Sequence, residues 1–512
     1  MPSEEHTVIL DCYTDEPSGY GVRPYLGTHQ IHLSQALAAR GIRHDYLTID
    51  DLRYCERAVS SDGQDTDLTI LNRTRNADRA LELLHKASTI YVVMGCFVDY
   101  SYFSAVPPRS DEVYRYLLGT KARKILFYVL GIPNLPNVDY DSSRLSTILD
   151  HVEYGNTYRY ILEDAISNTS LAEPNYQLLD SIAGVEPPLL SQLRFPIIAE
   201  IETGSGCNTA TCSFCIECAR PQVPTYRRAD SITKQVSTLY RAGVRHFRLG
   251  RQPNFYHFAH QNVEEMRRLL ASIRDQCPDL ETLHIDNVNA VSVLTAEGTE
   301  ITKLIVRYCT SGNVAPLGIE SFDPVVRAAI RKPGTAGQVM QAIEIINEYG
   351  AARGDDGFPK FLPGINLIYG LPGQTDDTHR INLEYLGRIL ANGWSTRRLF
   401  FRRQTGPSGV SFAQAAAATS SENYRVWHDE VVRDYVLPMQ SRVYPESVVL
   451  RGFREVIAKG GDSYIRTLGT CSIRVVVPGA TLEPYQRHDV RIIANRGYRL
   501  LQGELTSTMN HL

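Results

Sequence analysis

Apolar runs alternate with amphipathic segments along most of the chain. In the N-terminal region, the apolar runs that predict strands lie at 7–10, 89–94 and 124–130. A helical pattern between them runs from about His29 to Arg40 and stops at Gly41. Strands that alternate with helices favour a parallel, doubly wound sheet. The pattern therefore predicts a Rossmann-like domain over residues 1–138, with its ligand beyond the carboxyl ends of the strands.

A second series of strands and helices follows residues 139–194, whose pattern is irregular and which we interpret as a connector. Its strand-like segments lie at 196–201, 245–249, 282–286, 313–319, 364–369 and 398–402. The helical segments between them include 231–242, 262–276, 337–349 and 377–392. Strand–helix units of this size predict a full or partial TIM barrel over residues 195–410, with its chemistry at the carboxyl ends of the strands.

The pattern changes again after the barrel segment. An Ala-rich stretch precedes a helix expected near 421–436, so we interpret residues 411–448 as a helical linker. Short strands broken by Gly and Pro follow, at 472–477 and 490–494, and they predict a small β domain over residues 449–512. The chain is thus expected to be α/β: a Rossmann-like domain, a partial TIM barrel and a small C-terminal β domain.

Composition indicates the cellular compartment and the classes of partner expected for the protein. No stretch of its 512 residues approaches the roughly 18 unbroken apolar residues of a membrane span, and the first residues lack a signal-peptide pattern. Ten cysteines in so long a chain do not suggest a disulfide scaffold. We therefore expect a cytoplasmic protein with no membrane partner. The net charge of −4 gives no support to nucleic-acid binding by the chain as a whole, and it leaves a local basic patch open.

Four cysteines lie close together after the first predicted barrel strand: Cys207, Cys212, Cys215 and Cys218. The spacing Cys-x4-Cys-x2-Cys of the first three offers three thiolates from one loop, and thiolates hold iron–sulfur clusters. Three ligands on a four-iron cluster leave one iron open to a substrate. A zinc site and unligated thiols are the alternatives, although zinc favours ligand pairs from two segments and no second Cys or His pair stands nearby. We expect Cys218 to be a small buried residue, with a place beside the cluster or radical quenching as alternatives.

The cysteine loop, with Phe214 before its last cysteine, resembles the radical S-adenosylmethionine (radical SAM) enzymes, although their commonest spacing is one residue shorter. Further landmarks of that superfamily follow in order: Leu249 to Gln252, His284 to Asn289, Gly318 to Ser321 and Gly370 to Gly373. The resemblance implies a [4Fe-4S] cluster on Cys207, Cys212 and Cys215. The residues that it implies for SAM are Phe214, Gly250, Arg251, Gln252, Asp286, Asn287, Asn289, Glu320, Ser321 and Arg402. For the charged members of this set, a helix cap or an ordinary ion pair is the alternative.

The N-terminal domain resembles that of archaeal cobalamin-binding radical SAM proteins. The stretches that carry this likeness are Asp15 to Pro17, Gly21 to Gly27, Thr48 to Arg53, Phe247 to Gln252 and Gly497 to Arg499. The likeness implies a cobalamin site at Thr14, Asp15, Gly21, Val22, Tyr25, Leu26, Gly95, Cys96 and Phe97. The motif Asp-x-His-x-x-Gly, which supplies a histidine to cobalt in many cobalamin domains, does not occur in the sequence. The likeness therefore implies cobalamin bound without a histidine ligand.

The combined resemblance implies a cobalamin-dependent radical SAM C-methyltransferase that acts on an unactivated carbon. We expect a protein or peptide acceptor, with methyl-coenzyme M reductase of methanogens as one candidate, and a reductase as electron donor. An RNA-modifying radical SAM enzyme is an alternative, because small β tails occur in methylthiolating enzymes. Radical SAM chemistry without methylation and an iron–sulfur protein without catalysis are the others. The sequence assigns no catalytic acid or base.

Overall fold

The computed structural model describes residues 6–13, 22–59, 72–95, 105–128, 144–154, 156–163, 174–215, 223–403 and 421–506. The chain divides into two compact units, residues 1–201 with 230–247 and residues 202–229 with 248–512. The α/β class expected from the sequence is confirmed, and the domain boundaries inside it stay predictions. Within the described ranges, no helix has both the length and the apolarity that a bilayer crossing requires.

The first unit is built on a five-stranded parallel sheet. Its strands are β1 (Thr7–Asp11), β3 (His44–Thr48), β4 (Thr89–Met94), β5 (Arg123–Tyr128) and β6 (His151–Glu153). They are arranged in the order β3-β1-β4-β5-β6, with β1 paired to both β3 and β4. A short strand, β2 (Tyr25–Leu26), pairs in parallel with β7 (Ile198–Glu202). The strand interiors, such as Ile9, Ile90 and Leu126, are fully buried and form the core under the helices.

Helices connect the strands of the first unit. They are α1 (Thr28–Ala39), α2 (Ile49–Val59), α3 (Ala80–Lys86), α4 (Ser110–Leu117), α5 (Thr157–Glu163), α6 (Tyr176–Ser181), α7 (Leu189–Gln192) and α8 (Ala229–Arg241). Helix α1 ends as expected before Gly41, which has a φ of +72° that suits glycine. The doubly wound pattern that the sequence predicted is therefore present.

Two strands of this sheet were not predicted. Strand β3 has the mixed sequence HDYLT, and its polar residues find partners: the His44 ring bonds to Ser34 Oγ at 2.8 Å and Asp45 lies 3.3 Å from His6. Strand β6 lies inside residues 139–194, which we had interpreted as a connector, and it pairs with β5. A polar strand escapes a search for apolar runs, because its burial depends on partners that lie elsewhere in the chain.

In the second unit, parallel strands again alternate with helices. After β7 come β10 (His246–Gly250), β11 (Thr282–Ile285), β12 (Asn313–Glu320), β13 (Phe361–Tyr369) and β14 (Arg398–Arg403). Strands β12, β13 and β14 form a parallel sheet in that order. The helices are α9 (Val263–Gln276), α10 (Ala290–Val293), α11 (Ala296–Tyr308), α12 (Pro324–Ala329), α13 (Ala336–Gly350) and α14 (Asp376–Ala391). This TIM-barrel-like series confirms the predicted architecture; the strands that the sequence placed here are all present.

The C-terminal part of the second unit is a closed five-stranded β-barrel preceded by α15 (Ser421–Val431) and α16 (Leu437–Val443). Its strands are β15 (Val449–Lys459), β16 (Asp462–Thr467), β17 (Arg474–Val477), β18 (His488–Gly497) and β19 (Leu500–Leu505). They close in the order β15-β16-β17-β19-β18, with β17 and β19 parallel and the other pairs antiparallel. The predicted small β domain is confirmed. Gly460-Gly461, both at positive φ, form the hairpin turn that was not recognised in the sequence.

Candidate functional site

The cysteine loop leaves the first of two short paired strands that follow β7 and lies between them in the sequence. Strand β8 (Gly204–Ser205) pairs with β9 (Thr225–Tyr226), and Gly206 turns the chain with a φ of +82°. The amide of Ala210 donates to Cys207 Sγ at 3.4 Å, and the amide of Cys215 donates to the Cys212 carbonyl at 3.1 Å. The loop is thus a folded turn rather than an extended strap.

Residues that follow α12 hold this loop in place. The amide of Ser213 donates to the Ile330 carbonyl at 3.0 Å, and Thr211 Oγ1 donates to the Arg331 carbonyl at 3.2 Å. Phe214 packs against the buried cluster of Val326, Ile330 and Leu371. Phe214, predicted as a SAM contact, therefore contributes to anchoring the loop as well, and its ring lies 5.9 Å from Lys332 Nζ.

The thiols of the loop lie in one electrostatic neighbourhood. Burial raises the pKa of Cys212, Lys332 opposes that rise, and negative charge on Cys207 and Glu320 adds to it. Cys212 is buried, while Cys207 and Cys215 are half-buried, and none of the three forms a disulfide. Within the described ranges, no three His, Cys, Asp or Glu side chains converge on a single metal-ion position. The donor set itself, three thiols on one turn beside a lysine, suits a cluster whose irons take one thiolate each.

Glu320 ends β12 in a strained position. Its φ is +64°, which is rare for a residue with a side chain, and the strand register shifts between Gly318 and Glu320. A Cβ at Gly318 would lie 2.8 Å from Glu320 Oε1, so glycine leaves room for the carboxylate. Burial raises the pKa of Glu320, and the cations of Lys332, Arg402 and Arg327 oppose the rise. The predicted SAM residue is thus a buried carboxylate, 3.5 Å from Lys332 Nζ.

Asp286 comes directly after β11 and is fully buried. It forms an ion pair and hydrogen bond with Arg248 and also accepts the amide N–H of Arg251 at 3.3 Å. A Cβ on Gly250 would lie 2.6 Å from the Asp286 carboxylate, so only glycine admits this approach. Asp286 therefore fixes the turn at the end of β10, and the ion-pair alternative that the sequence left open describes its contacts here.

Gln252, in the turn that follows β10, has a side-chain oxygen that accepts no hydrogen bond from the described residues. Its side chain is 2% exposed and donates through Nε2 to the Phe255 carbonyl at 3.3 Å. Its Oε1 is buried without a hydrogen-bond partner among the described residues. A buried acceptor left without a donor is costly, so a bound group with N–H or O–H donors would satisfy it. The ammonium of SAM is such a group, and Gln252 therefore fits its predicted part.

Three other predicted SAM residues are engaged in local structure. Asn289 caps α10, because its Oδ1 accepts the Val291 amide at 3.1 Å. The Ser321 hydroxyl lies 3.3 Å from Asn382 Oδ1 and accepts the Asp323 amide at 3.1 Å. The carbonyl of Asn287 accepts the Phe255 amide at 2.8 Å. These contacts shape the strand ends, whatever else the side chains bind.

Arg402 and Arg251 are the two cations among the predicted SAM residues. Arg402 lies on β14, its guanidinium is 4.8 Å from the Phe400 ring centroid, and its charge opposes the raised pKa of Glu320. Arg251 has a φ of +62° and lies 3.9 Å from Glu202. The structure thus brings the charge of Arg402 to bear on Glu320, whereas the Arg251 guanidinium lies beside Glu202 and only its backbone N–H reaches Asp286.

Sequence reasoning missed several residues of this region. Asn254 is buried, donates to Asn208 in the cysteine loop at 3.2 Å and to Ser292 at 2.8 Å, and so connects the loop to two strand ends. Tyr226 bonds to His257 and packs edge-on against His260 at 5.0 Å. Burial and the charge of Cys207 raise the pKa of Tyr226 to about 12. A polar residue four positions after the end of β10 was the available signal for Asn254.

In the first unit, the carboxyl end of β1 forms a buried polar network. Asp11 accepts the hydroxyl of Tyr46 at 2.5 Å, the amide of Gln30 at 2.9 Å and the backbone N–H of Tyr13 at 2.8 Å. The Tyr13 hydroxyl donates to Asp50 at 2.7 Å. Gln30 Oε1 is fully buried and has no hydrogen-bond partner among the described residues. An amide donor of a bound molecule would satisfy it, so this strand end fits an amide-bearing ligand such as a corrinoid.

The predicted cobalamin residues fall into two groups. Gly95 follows β4 at the carboxyl end of the sheet and is buried, whereas Val22, Tyr25 and Leu26 lie at β2, which pairs with β7. The remaining five, together with Cys218 of the cysteine loop, lie outside the described residues: Thr14, Asp15, Gly21, Cys96 and Phe97. Of the four that the structure describes, only Gly95 lies at the strand ends where such ligands bind.

Comparison with known proteins adds a family and a fold. The radical SAM superfamily matches residues 201–386. An uncharacterized protein of Methanocaldococcus jannaschii is 31% identical over 97% of this chain and 93% of its own length, and one of Archaeoglobus fulgidus is 30% identical over 92% and 85%. The fold is similar to that of the cobalamin-dependent S-adenosylmethionine radical enzyme OxsB with aqua-cobalamin bound, with a TM-score of 0.50 and 13% identity over 83% of this chain and 56% of that one.

Proposed function

Since residues 201–386 match the radical SAM superfamily, we propose that this chain is a cobalamin-dependent radical SAM C-methyltransferase acting on an unactivated carbon. The observation that carries the proposal is one site in the second unit. There the negative charge of buried Glu320 acts on Cys212 of the cysteine loop. Asn254, which follows β10, forms hydrogen bonds both with Asn208 of that loop and with the backbone N–H of Asn289, which follows β11. The likeness of fold to OxsB with aqua-cobalamin bound and the polar strand end around Asp11 and Gln30 support cobalamin. Methyl transfer is the finer part of the proposal and rests on the sequence resemblance to archaeal cobalamin-binding proteins.

When bound, the cluster and SAM supply radical chemistry and cobalamin supplies the methyl group. The chain's own residues bind and orient. Cys207, Cys212 and Cys215 would hold the cluster, and the charge of Lys332 favours the thiolate form of Cys212. Gln252 accepts from the ammonium of SAM, and Arg402 is placed for its carboxylate. Glu320, kept in place by Lys332, accepts from the ribose hydroxyls, and a reductase supplies the electron.

For the methyl acceptor we propose two classes. A protein or peptide, with methyl-coenzyme M reductase among the candidates, is what the likeness to archaeal cobalamin proteins implied. RNA is the second candidate, and a specific observation favours it. The C-terminal barrel carries nine Arg and Lys against five Asp and Glu over residues 449–512, a net charge of +4 in a chain of −4.

The product pattern of the anaerobically reconstituted full chain tests the reaction class. Remethylation of cobalamin turns one SAM into S-adenosylhomocysteine, and radical cleavage turns a second into 5′-deoxyadenosine. Both products are therefore expected in roughly equal amounts with methylated acceptor. Glu320→Ala should suppress both, whereas Glu344→Ala, which removes an exposed carboxylate on α13, should leave both unchanged.

Two outcomes would contradict the proposal. If 5′-deoxyadenosine forms without S-adenosylhomocysteine in the presence of cobalamin and acceptor, methyl transfer is excluded and only radical SAM chemistry remains. The second outcome concerns the Glu320→Ala variant. If that variant keeps its cluster, binds SAM as tightly as the wild type and still forms neither product, the assigned SAM site is wrong.

A further inference from the structure

The C-terminal barrel has the strand order of an OB-fold. Its first strand pairs with the second and fourth, its third pairs in parallel with the fifth, and the fourth pairs with the fifth. OB-folds bind oligonucleotides and oligosaccharides on the face of strands two and three and on the turns between strands one and two and strands four and five. In this chain those elements are β16, β17, the Gly460-Gly461 turn and the turn at 497–500.

Arginine and aromatic side chains occupy that face. Along β16, Ser463 and Ile465 are buried inward while Tyr464 and Arg466 are half-exposed on the outside. Together with neighbouring residues they form what we call the arginine–aromatic face: Phe400, Tyr464, Arg466, Arg474, Tyr498 and Arg499. The Arg499 guanidinium lies 4.9 Å from the centroids of both Phe400 and Tyr498.

The face has an excess of positive charge. The neighbours whose charges act on Arg474 are Arg499, Arg466, Tyr464 and Tyr498, and desolvation together with the two arginines lowers its pKa. Arg466 is neutralised by Glu455, whereas no described carboxylate forms an ion pair with Arg474 or Arg499. Like charges held together in a half-buried cluster repel, so an anion bound there would relieve the repulsion.

The turn that carries Tyr498 and Arg499 is fixed before any ligand arrives. Gln440 on α16 donates to the carbonyls of Gly497 and Leu500 at 3.0 and 3.2 Å, and its Oε1 accepts the Arg499 amide at 3.1 Å. Arg499 Nη2 in turn donates to the Leu399 carbonyl at 3.1 Å. A turn held this firmly loses little conformational entropy on binding.

The arginine–aromatic face continues to the radical SAM site. Phe400 and Arg402 alternate on β14, so they share one side of the strand, and the Arg402 guanidinium lies 4.8 Å from the Phe400 ring. Arg402 also acts electrostatically on Glu320 at the end of β12. A polymer lying on the face would therefore pass toward the strand end that holds Glu320.

We propose that the arginine–aromatic face binds single-stranded nucleic acid and leads one of its nucleotides to the radical SAM site. Phosphates meet Arg474 and Arg499, and bases stack on Tyr464 and Tyr498, whereas the Phe400 ring is already covered by the Arg398 guanidinium. An acidic peptide matches the charge and leaves the aromatic rings without flat partners, so it fits less well. The delivery of a nucleotide to Glu320 rests on the proposed function, whereas the binding itself does not.

Fluorescence anisotropy of labelled single strands tests the binding with the reconstituted full chain. The probes are mixed-sequence RNA and DNA oligonucleotides of about 15 nucleotides, close to the largest site of one OB-fold. Arg474→Gln/Arg499→Gln should weaken binding about tenfold and flatten the log–log salt slope by about 1.4, because two phosphate contacts are lost. Tyr498→Leu should weaken binding about tenfold with the salt slope unchanged, because only stacking is lost. Arg451→Gln/Arg491→Gln is the matched control, with the same charge change on the exposed residues of β15 and β18.

Each outcome decides the matter. The proposal is supported if the control variant binds the RNA or the DNA oligonucleotide as the wild type does and the two test variants do not. The ratio of the affinities for RNA and DNA then tells which polymer is preferred. Arg474→Lys/Arg499→Lys should keep most of the salt slope, which separates lost charge from a misfolded barrel. The proposal is overturned if the wild type does not bind at low salt, if all variants bind alike, or if polyglutamate competes as well as RNA. Because no turnover is measured, failure here leaves the proposed methyl transfer intact.

Discussion

Both units bury carboxylates at the ends of parallel strands, and they stabilise them in different ways. In the first unit, Asp11 accepts hydrogen bonds from the neutral groups of Tyr46, Gln30 and the Tyr13 backbone. In the second unit, Asp286 pairs with Arg248 and Glu320 lies beside Lys332. The same position in a parallel sheet therefore carries a neutral hydrogen-bond network in one unit and ion pairs in the other.

The difference bears on what each strand end can bind. Burial raises the pKa of Asp11 although its hydrogen bonds oppose the rise, so this site suits an uncharged ligand with amide groups. The second unit adds Lys332 and Arg402 around Glu320, together with the buried acceptor of Gln252. A site with fixed charges of both signs suits a zwitterion such as SAM.

The largest expected effect is the loss of the cluster from the second unit alone. Cys207→Ala, Cys212→Ala or Cys215→Ala should each abolish the four-iron cluster, because each removes one of three protein ligands. Cys55→Ala, which changes a half-buried cysteine on α2 of the first unit, should leave it intact. Iron content and the EPR signal of the reduced protein measure this. A triple variant of the loop that kept full iron and the cluster signal would refute the assignment.

The free energy of unfolding should distinguish the ion-paired carboxylate of Asp286 from the hydrogen-bonded carboxylate of Asp11. Asp286→Asn leaves the charge of buried Arg248 without its partner, so the free energy of unfolding should fall by about 3–5 kcal/mol. Asp11→Asn keeps an acceptor oxygen for neutral donors and should cost only about 1–2 kcal/mol. Urea unfolding followed by circular dichroism measures both.

A compensating pair sharpens this comparison. Arg248→Met/Asp286→Leu removes both charges and should recover part of the stability that Asp286→Asn loses. Equal losses for Asp286→Asn and Asp11→Asn would show that the two strand ends do not differ in the way described.

The most local effect is a pH dependence confined to the first unit. Burial raises the pKa of Asp51 from 3.8 to about 7, against the hydrogen bonds that it accepts from Thr48 and Thr74. The folded state thus holds this proton more tightly than the unfolded state does. Stability should therefore fall as pH rises from about 4 to 7, by at most about 1.4 kcal/mol per pH unit, and level off above.

Substitution of the carboxyl isolates that contribution. Asp51→Asn should remove this part of the pH slope, whereas Asp78→Asn, whose side chain is 66% exposed, should keep it. Urea midpoints between pH 4 and 8 report the slope of each variant. An unchanged slope in Asp51→Asn would assign the pH dependence to another group.

Strand–helix alternation was sufficient to predict the architecture, because apolar periodicity reflects burial directly. The polar strands β3 and β6 escaped that signal, since they are stabilised by side-chain partners and by pairing with β1 and β5. The Cys-x4-Cys-x2-Cys loop was readable for a similar reason: its ligands come from one short turn. Asn254 and Lys332 could not be identified from the sequence. Their roles depend on contacts with Asn208 and Glu320, which only the folded chain brings next to them.

The sequence by itself determined the order of the strand ends and the thiolate donors, because both depend on local spacing and periodicity. Tertiary structure decided that Asp286 pairs with Arg248, that β17 runs parallel to β19, and that Phe400 meets Arg499 across 99 positions of the chain. Such contacts arise when the chain closes on itself, and no pattern within a short window records them. Charge is the clearest case: the sequence shows a net charge of +4 over residues 449–512, but only folding gathers Arg466, Arg474 and Arg499 on one side of the barrel.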